Sequence, residues 1–430
     1  MNRSESLGSA KDAVSLWDMS APAASKAQPL EGDKVTEVVI IGGGFTGSST
    51  ALHLAEKGVD CVVLESEKVG FGGSGRNCGM VNPGIWLPPQ DVRKKLGDST
   101  ANRFLDVMSK APDKVFSLIE RFNMDCEATR NGTIHAAHSA SGFKELSARA
   151  AEWQRRGRDV TLLDAKQAEE KIGSSRFFGG LLDPQAGTVN PMGYARGLAQ
   201  AAMEVGAAIH SETKAQKLRQ EGGKWIVETD RGKVTADKVV IATNAYTDDL
   251  WPGLKQSFTL IHFYQVATEP LGDLADAILP EEQSVWDTGL VMLSVRKDKF
   301  GRLIVGNMGK LAGKDDASSK KCAQRQISKM FPFLDKLKFE SSWHGRMALT
   351  PDHLPRIHNP APGLYTPIGF NGRGITTGTV CGQAMAQLLT GTPEQDIMLP
   401  VTGVKKDIGA VIREPVYEGC FKVWRHYKSM

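Results

Sequence analysis

At 430 residues, 41% of them hydrophobic and 24% charged, the chain has the length for two or three domains and an ordinary folded composition, which excludes a peptide module or a disordered chain. Its 53 Lys and Arg against 49 Asp and Glu leave a net charge of +4 scattered without phosphate-following tracts, so nucleic acid is not expected as a partner. Six cysteines form no CxxC pair or Cys/His metal cluster, and no apolar run reaches the ~18 residues of a membrane span, which points to a cytoplasmic protein with reduced thiols, no metal and no transmembrane segment.

Residues 1–34 are polar and Ala/Pro-rich and read as a leader lying across the surface. Val38-Val39-Ile40-Ile41 is a β-branched run of the kind buried on both faces of a parallel sheet, and it ends in Gly42-Gly43-Gly44-Phe45-Thr46-Gly47. A helix over Ser48 to Lys57 stopped by Gly58, then the strand Cys61 to Glu65, completes a βαβ unit. Amphipathic helices are expected over Ala101 to Phe122 and Ser141 to Arg155, and a helix started by Asn190-Pro191 runs to Gly206. Strands are expected at Trp225 to Glu228, Lys238 to Thr243, Leu260 to Val266, Gly289 to Leu293 and Arg302 to Gly306. Residues 364–390 return to strand, glycine loop and helix, and the C-terminal forty residues carry little pattern.

In the first glycine motif, Gly42 permits the tight turn, Gly44 lets the backbone approach a pyrophosphate, and Gly47 lets the helix pack on the strand. Glu65, ending the second strand, stands where a carboxylate accepts ribose hydroxyls and disfavours a 2′-phosphate, which leaves NAD or FAD. Two further glycine stretches, Gly70 to Gly79 with Ser74, Arg76, Asn77 and Cys78, and Gly369-Phe370-Asn371-Gly372-Arg373-Gly374, fit an extended cofactor held at both ends better than a nicotinamide nucleotide.

These stretches, together with Ala242-Thr243-Asn244-Ala245 and Trp343 to Pro355, resemble the FAD-dependent amine and amino-acid oxidoreductases of the D-amino-acid oxidase type, the group that includes glycine oxidase, sarcosine oxidase and γ-glutamylputrescine oxidase, over about Val35 to Thr390. The resemblance implies an α/β fold with a discontinuous Rossmann-like FAD-binding domain over 35–89, 185–250 and 341–395. A mixed-sheet α+β substrate domain over 90–184 and 251–340 and a tail over 396–430 complete it. It implies that Gly42, Gly44, Phe45, Thr46 and Gly47 hold the pyrophosphate, Glu65 the ribose, and Ala215 the adenine. Ser74, Arg76, Asn77, Cys78, Gly79, Ala242 and Thr243 would line the flavin side, and Gly369, Asn371, Gly372, Arg373, Gly374 and Ile375 the pyrimidine end. Arg373 is the cation expected at the reduced flavin's N1 and C2=O.

No cysteine occurs in Trp343 to Met347, where related enzymes attach the flavin, so the FAD is expected to be non-covalent, although Cys78 and Cys381 lie in cofactor-lining stretches. Ile375-Thr376-Thr377 stand where some relatives carry a lysine that activates oxygen, so a quinone or carrier protein is expected as electron acceptor in place of O2, with O2 as the alternative. On the substrate side, Arg346 is read as a carboxylate fork or a structural salt bridge, and His344 as a hydrogen-bonding group over the flavin or a satisfied core histidine. Tyr264, with His262, is read as one face of a pocket strand or a cross-strand core pair, and Trp86 as a wall of the site. The expected activity is oxidation of the C–N bond of a small amine or amino acid to an imine, with secondary, N-alkyl, γ-glutamyl or cyclic compounds as substrates. A flavin-binding subunit of an electron-transfer complex and an NAD-linked dehydrogenase stand as alternatives, and nothing in the pattern specifies an oligomeric state.

Overall fold

The computed structural model describes residues 14–23, 27–313 and 316–429, and these build two large sheets that face each other across a cleft, besides a two-stranded sheet of Met80–Val81 and Gly187–Thr188. The first is nucleated by the β-branched strand Lys34–Ile41, whose last four residues are buried on both faces. It pairs in parallel with Cys61–Leu64 on one side and Lys233–Ile241 on the other, so that Ile41 is level with both Leu64 and Ile241. Ala208–His210 and Leu364–Ile368 extend the parallel run, and Arg356–Ala361 and Val401–Thr402 close one edge. The helices Phe45–Ala55, Pro191–Glu204 and Gly374–Leu389 pack together on one face. Gly378 and Gly382 make that contact close, since a Cβ at Gly382 would lie 2.5 Å from Ser49 Cβ.

The segment 90–121, expected in the substrate domain, instead sends Phe104, Met108, Val115 and Phe116 into this core, against the Gly374–Leu389 helix. The pattern marks its apolar face without saying which sheet that face meets. The expected single helix over 101–122 is two, Asp98–Ser109 and Ala111–Arg121, the second opening on Pro112.

The second sheet runs Phe339–Leu349, Thr259–Thr268, Leu303–Met308, Ser294–Lys297, Ser284–Asp287, Thr133–Ala136, Gly180–Asp183 and Thr161–Leu163, antiparallel except between the fifth and sixth strands. Strand 339–349, most of which was expected in the cofactor domain, is its edge and pairs along its length with 259–268. The expected strand Gly289 to Leu293 is a loop, because the Asp287 carboxylate accepts the Gly289 and Leu293 N–H groups at 3.2 and 3.0 Å and folds the chain back locally. The outer face is covered by helices Ala317–Met330 and Ala410–Ser429, so the tail that showed little pattern is a lid on this sheet.

The leader is also structural where it is described. Leu16–Ser20 is a helix capped by Ser15, and Trp17 is fully buried, edge-on to Trp343 at 5.9 Å and under the Arg296 guanidinium at 5.1 Å.

Candidate active site

The cleft starts at the carboxyl ends of the central parallel strands, where open α/β sheets take their ligands. Gly42 holds φ +108 beside the Ala242 carbonyl, and a Cβ at Gly47 would sit 1.8 Å from Gly42 O, so this turn exists only with glycine. Gly44 caps the Phe45–Ala55 helix without a side-chain acceptor, which leaves first-turn N–H groups facing the cleft. A Cβ on Gly44 would fall 2.7 Å from Ser74 Oγ, which accepts the Phe45 N–H at 3.0 Å. The Glu65 carboxylate accepts the Gly43 and Glu67 N–H groups at 2.7 and 3.0 Å, and burial raises its pKa. A glycine turn leading into an uncapped helix N-terminus, with an adjacent carboxylate, fits a dinucleotide.

Of the residues named from sequence, Gly42, Gly44, Phe45, Thr46, Glu65, Ser74, Asn77, Cys78, Ala215, Ala242, Thr243, Asn371, Gly372 and Gly374 line this one cleft. Asn77 also staples its loop, donating to Gly73 O and Ser74 O and accepting the Gly79 N–H. The others act from behind. Gly47 is a packing contact, Arg76 is buried with Nε donating to Phe71 O, and Gly79 keeps φ +79 where a Cβ would meet Val189 O at 2.2 Å. Gly369 donates its N–H to Asn244 Oδ1, and Ile375 is in the helix core. Arg373 sends its guanidinium away from the cleft, 4.4 Å over the Trp86 ring and 4.6 Å over the Trp286 ring, which meet each other edge-to-face at 5.2 Å.

The substrate-side expectations divide by strand parity. Phe263 and Gln265 line the cleft, joined by Met292, Ser294 and Met308. Tyr264 points the other way, buried among Val266, Ile327 and Phe331, with the Arg425 guanidinium 4.8 Å over its ring, so it is a core residue under the outer helices. His344 stands opposite Tyr264 on the same outward face and touches His262 at 5.9 Å. Its pKa is lowered to about 4, first by burial and then by the nearby His262. It does not reach the cleft. Arg346 borders the cleft, its N–H donating to Tyr246 Oη and its guanidinium 5.4 Å over that ring, with no carboxylate partner among the described residues. Trp86 lies behind the Asn371–Gly374 loop, its Nε1 donating to Asn371 O.

Sequence reasoning missed Tyr246, Phe263, Gln265 and Met308. The Phe263/Gln265 alternation was visible, but the choice of inward face rests on helices far along the chain. Gln265 is buried, and its Oε1 has no partner among the described residues. Also among them, no helix is long and apolar enough to cross a membrane, and no cluster of three His, Cys, Asp or Glu is placed to hold a metal.

Comparison with known proteins gives this geometry a context. The family model described as FAD dependent oxidoreductase matches residues 37–388. A γ-glutamylputrescine oxidoreductase from Escherichia coli (strain K12) is 31% identical over 381 residues, covering 87% of this chain and 89% of that protein. Among solved structures, glycine oxidase from Geobacillus kaustophilus superimposes with a TM-score of 0.67 at 20% identity, over 83% of this chain and 95% of that one. L-amino acid deaminase from Proteus vulgaris does so with 0.69 at 15% identity, over 87% and 97%.

Proposed function

Since the chain belongs to the FAD dependent oxidoreductase family, we propose that it oxidises the C–N bond of a small amine or amino acid to an imine, which water then hydrolyses. Membership makes FAD the cofactor and sets aside the NAD-linked alternative. The observation that carries the reading is a single cleft joining the Gly42–Gly47 cradle, the Asn371–Gly374 loop and the inner face of the second sheet. When bound, FAD supplies the two-electron acceptor for a hydride equivalent from the carbon next to nitrogen.

The chain's own residues orient the substrate and exclude water. Gln265 Oε1 is a buried, unpartnered acceptor on the cleft wall and is suited to a substrate N–H. Phe263, Met292 and Met308 make the adjoining wall apolar. Gly374 opens a helix with no side-chain cap, which aims positive dipole at the same end of the cleft and favours negative charge developing there. Non-covalent attachment is supported by Cys78, the cleft-lining cysteine, whose thiol burial keeps protonated and so poorly nucleophilic. Within the expected class of secondary, N-alkyl or γ-glutamyl amines and cyclic amino acids, the likeness to γ-glutamylputrescine oxidoreductase supports a γ-glutamyl amine. The electrons pass to O2 or to a quinone or carrier protein. A cytoplasmic location goes with this reading, supported by six cysteines free of any disulfide among the described residues.

The test is the absorption spectrum of purified protein, acid release of the chromophore, then anaerobic titration with a panel of amines. Acid-released FAD and bleaching by one amine class are expected. FAD that no amine bleaches favours a subunit of an electron-transfer complex, and a protein that takes up no FAD overturns the reading.

A further inference from the structure

The helix Ala410–Ser429 holds to the protein by ion pairs and turns an apolar row to solvent. On its inward side, Glu418 accepts the His262 backbone N–H at 3.0 Å and lies 2.9 Å from its Nδ1. Arg425 pairs with Asp316 at 2.9 Å, and Arg413 pairs with Asp407 and donates to Thr259 Oγ1 at 3.1 Å. On the opposite side, Ile412, Val416, Val423 and Tyr427 form one line at i, i+4, i+11 and i+15, and they are 68%, 52%, 71% and 71% exposed. Ile408 precedes the line at 89%. A helix laid on a sheet buries its apolar line, so one that points this line outward is built to meet something else.

Basic residues that look scattered along the chain gather on this face. Residues 317–338, the neighbouring helix and the loop after it, carry six Lys and Arg against Asp335 alone, in a chain whose whole excess is four. Lys321, Lys329, Lys336 and Lys338 are exposed, with Phe333 among them. Lys405 and Lys406 precede the apolar line and Lys422 flanks it, all exposed. Of the acids between 405 and 427, Asp407 and Glu418 are engaged in the pairs above, and Glu414 lies one turn before Glu418 on the inward side. A second copy of the chain would set one basic rim against another. An acidic protein would answer the charge, but it would need a groove to receive a row that stands off a helix. An anionic lipid surface needs none: it takes aliphatic side chains into its acyl boundary and attracts each nearby Lys or Arg by about 1 kcal/mol. We propose that this outer face docks the enzyme on an anionic lipid surface, with the C-terminal helix lying in the interface plane and its line from Ile408 to Tyr427 inserted. The cofactor cleft lies across the sheet from it, and the proposal is independent of the amine-oxidation reading.

The test is co-sedimentation of the FAD-loaded protein with vesicles of phosphatidylcholine, alone or with about one third phosphatidylglycerol. Binding to the anionic vesicles is expected to be at least about tenfold tighter than to the neutral ones, and to weaken as salt rises from about 0.1 to about 0.5 M. Ile412→Glu combined with Val423→Glu is expected to weaken it at least about tenfold, with FAD content and thermal midpoint retained. The same is expected of Lys321→Glu, Lys329→Glu and Lys336→Glu together. Equal binding to both vesicles, binding to neither, or variants that bind like wild type overturns the proposal. A dimer in sedimentation velocity that Ile412→Glu with Val423→Glu dissociates, with anionic vesicles unbound, assigns the face to a second copy and overturns it. Retention on immobilised polyglutamate without vesicle binding overturns it in favour of an acidic protein. If the variant in the apolar line fails to fold, the lysine variant decides alone, and unchanged vesicle binding in it overturns the proposal.

Discussion

Single side chains here are set as much by what they lack as by what they touch. Gly47 has no room for a methyl group, so Gly47→Ala should push the Gly42 carbonyl out of the turn and cost about 1–3 kcal/mol of stability, with loss of bound FAD. Thermal midpoint and the ratio of flavin to protein absorbance measure both. His344 and His358, each lowered to about 4 by burial, are neutral in the folded protein at pH values where an unfolded histidine begins to protonate near 6.5. The stability they contribute is therefore complete above about pH 6.5 and is lost as pH falls towards 4. Urea midpoints should drop across that window, at up to about 1.4 kcal/mol per pH unit for each histidine protonated only when unfolded, and His358→Asn should flatten the slope. At this scale the glycine fingerprint was legible because steric demand is local. The placement of Tyr264 and His344 was not, since parity gives two faces and only the packing of residues 317–330 and 410–429 selects between them.

Elements read from periodicity mostly have their expected kind, and their partners are what the pattern could not supply. The helices at 89–121 are amphipathic whichever sheet they serve, and strand 339–349 has the alternation of any half-buried strand. The Leu16–Ser20 helix escaped because five residues are too few for a period, yet its Trp17 Nε1 donates to Asn77 O at 2.9 Å, on the loop that carries Ser74. Trp17→Ala should cost about 3–5 kcal/mol and accelerate FAD loss, measured by thermal melting and by flavin fluorescence after dilution. The C-terminal helix is anchored by a buried pair, Arg425 to Asp316 at 2.9 Å, and Asp316 also caps the Ala317–Met330 helix through the Ser318 and Ser319 N–H groups. Burial raises the Asp316 pKa, but the Ala312 and Ser319 N–H groups and the Ser318 and Ser319 hydroxyls outweigh it and lower it to about 2. Arg425→Met removes the countercharge of this buried carboxylate and should lower stability by about 3–5 kcal/mol, read from urea denaturation.

For the whole molecule, the cofactor cleft is formed by both sheets, so bound FAD stabilises the two together. Melting should shift with added FAD, by about 2.7 kcal/mol at a hundredfold excess over Kd, as one transition in holoenzyme. The interleaving of the first sheet has a further consequence in time. Strand Lys34–Ile41 leaves the ribosome early, but its parallel neighbour Lys233–Ile241 follows some 200 residues later, and the Gly374–Leu389 helix that packs on Phe45–Ala55 later still. At about 5–20 residues per second, the half-made sheet waits tens of seconds with an open edge. Nascent chains released before about residue 390 should therefore neither retain flavin nor escape chaperones, so a helix at 374–389 decides the fate of a strand made more than 300 residues earlier.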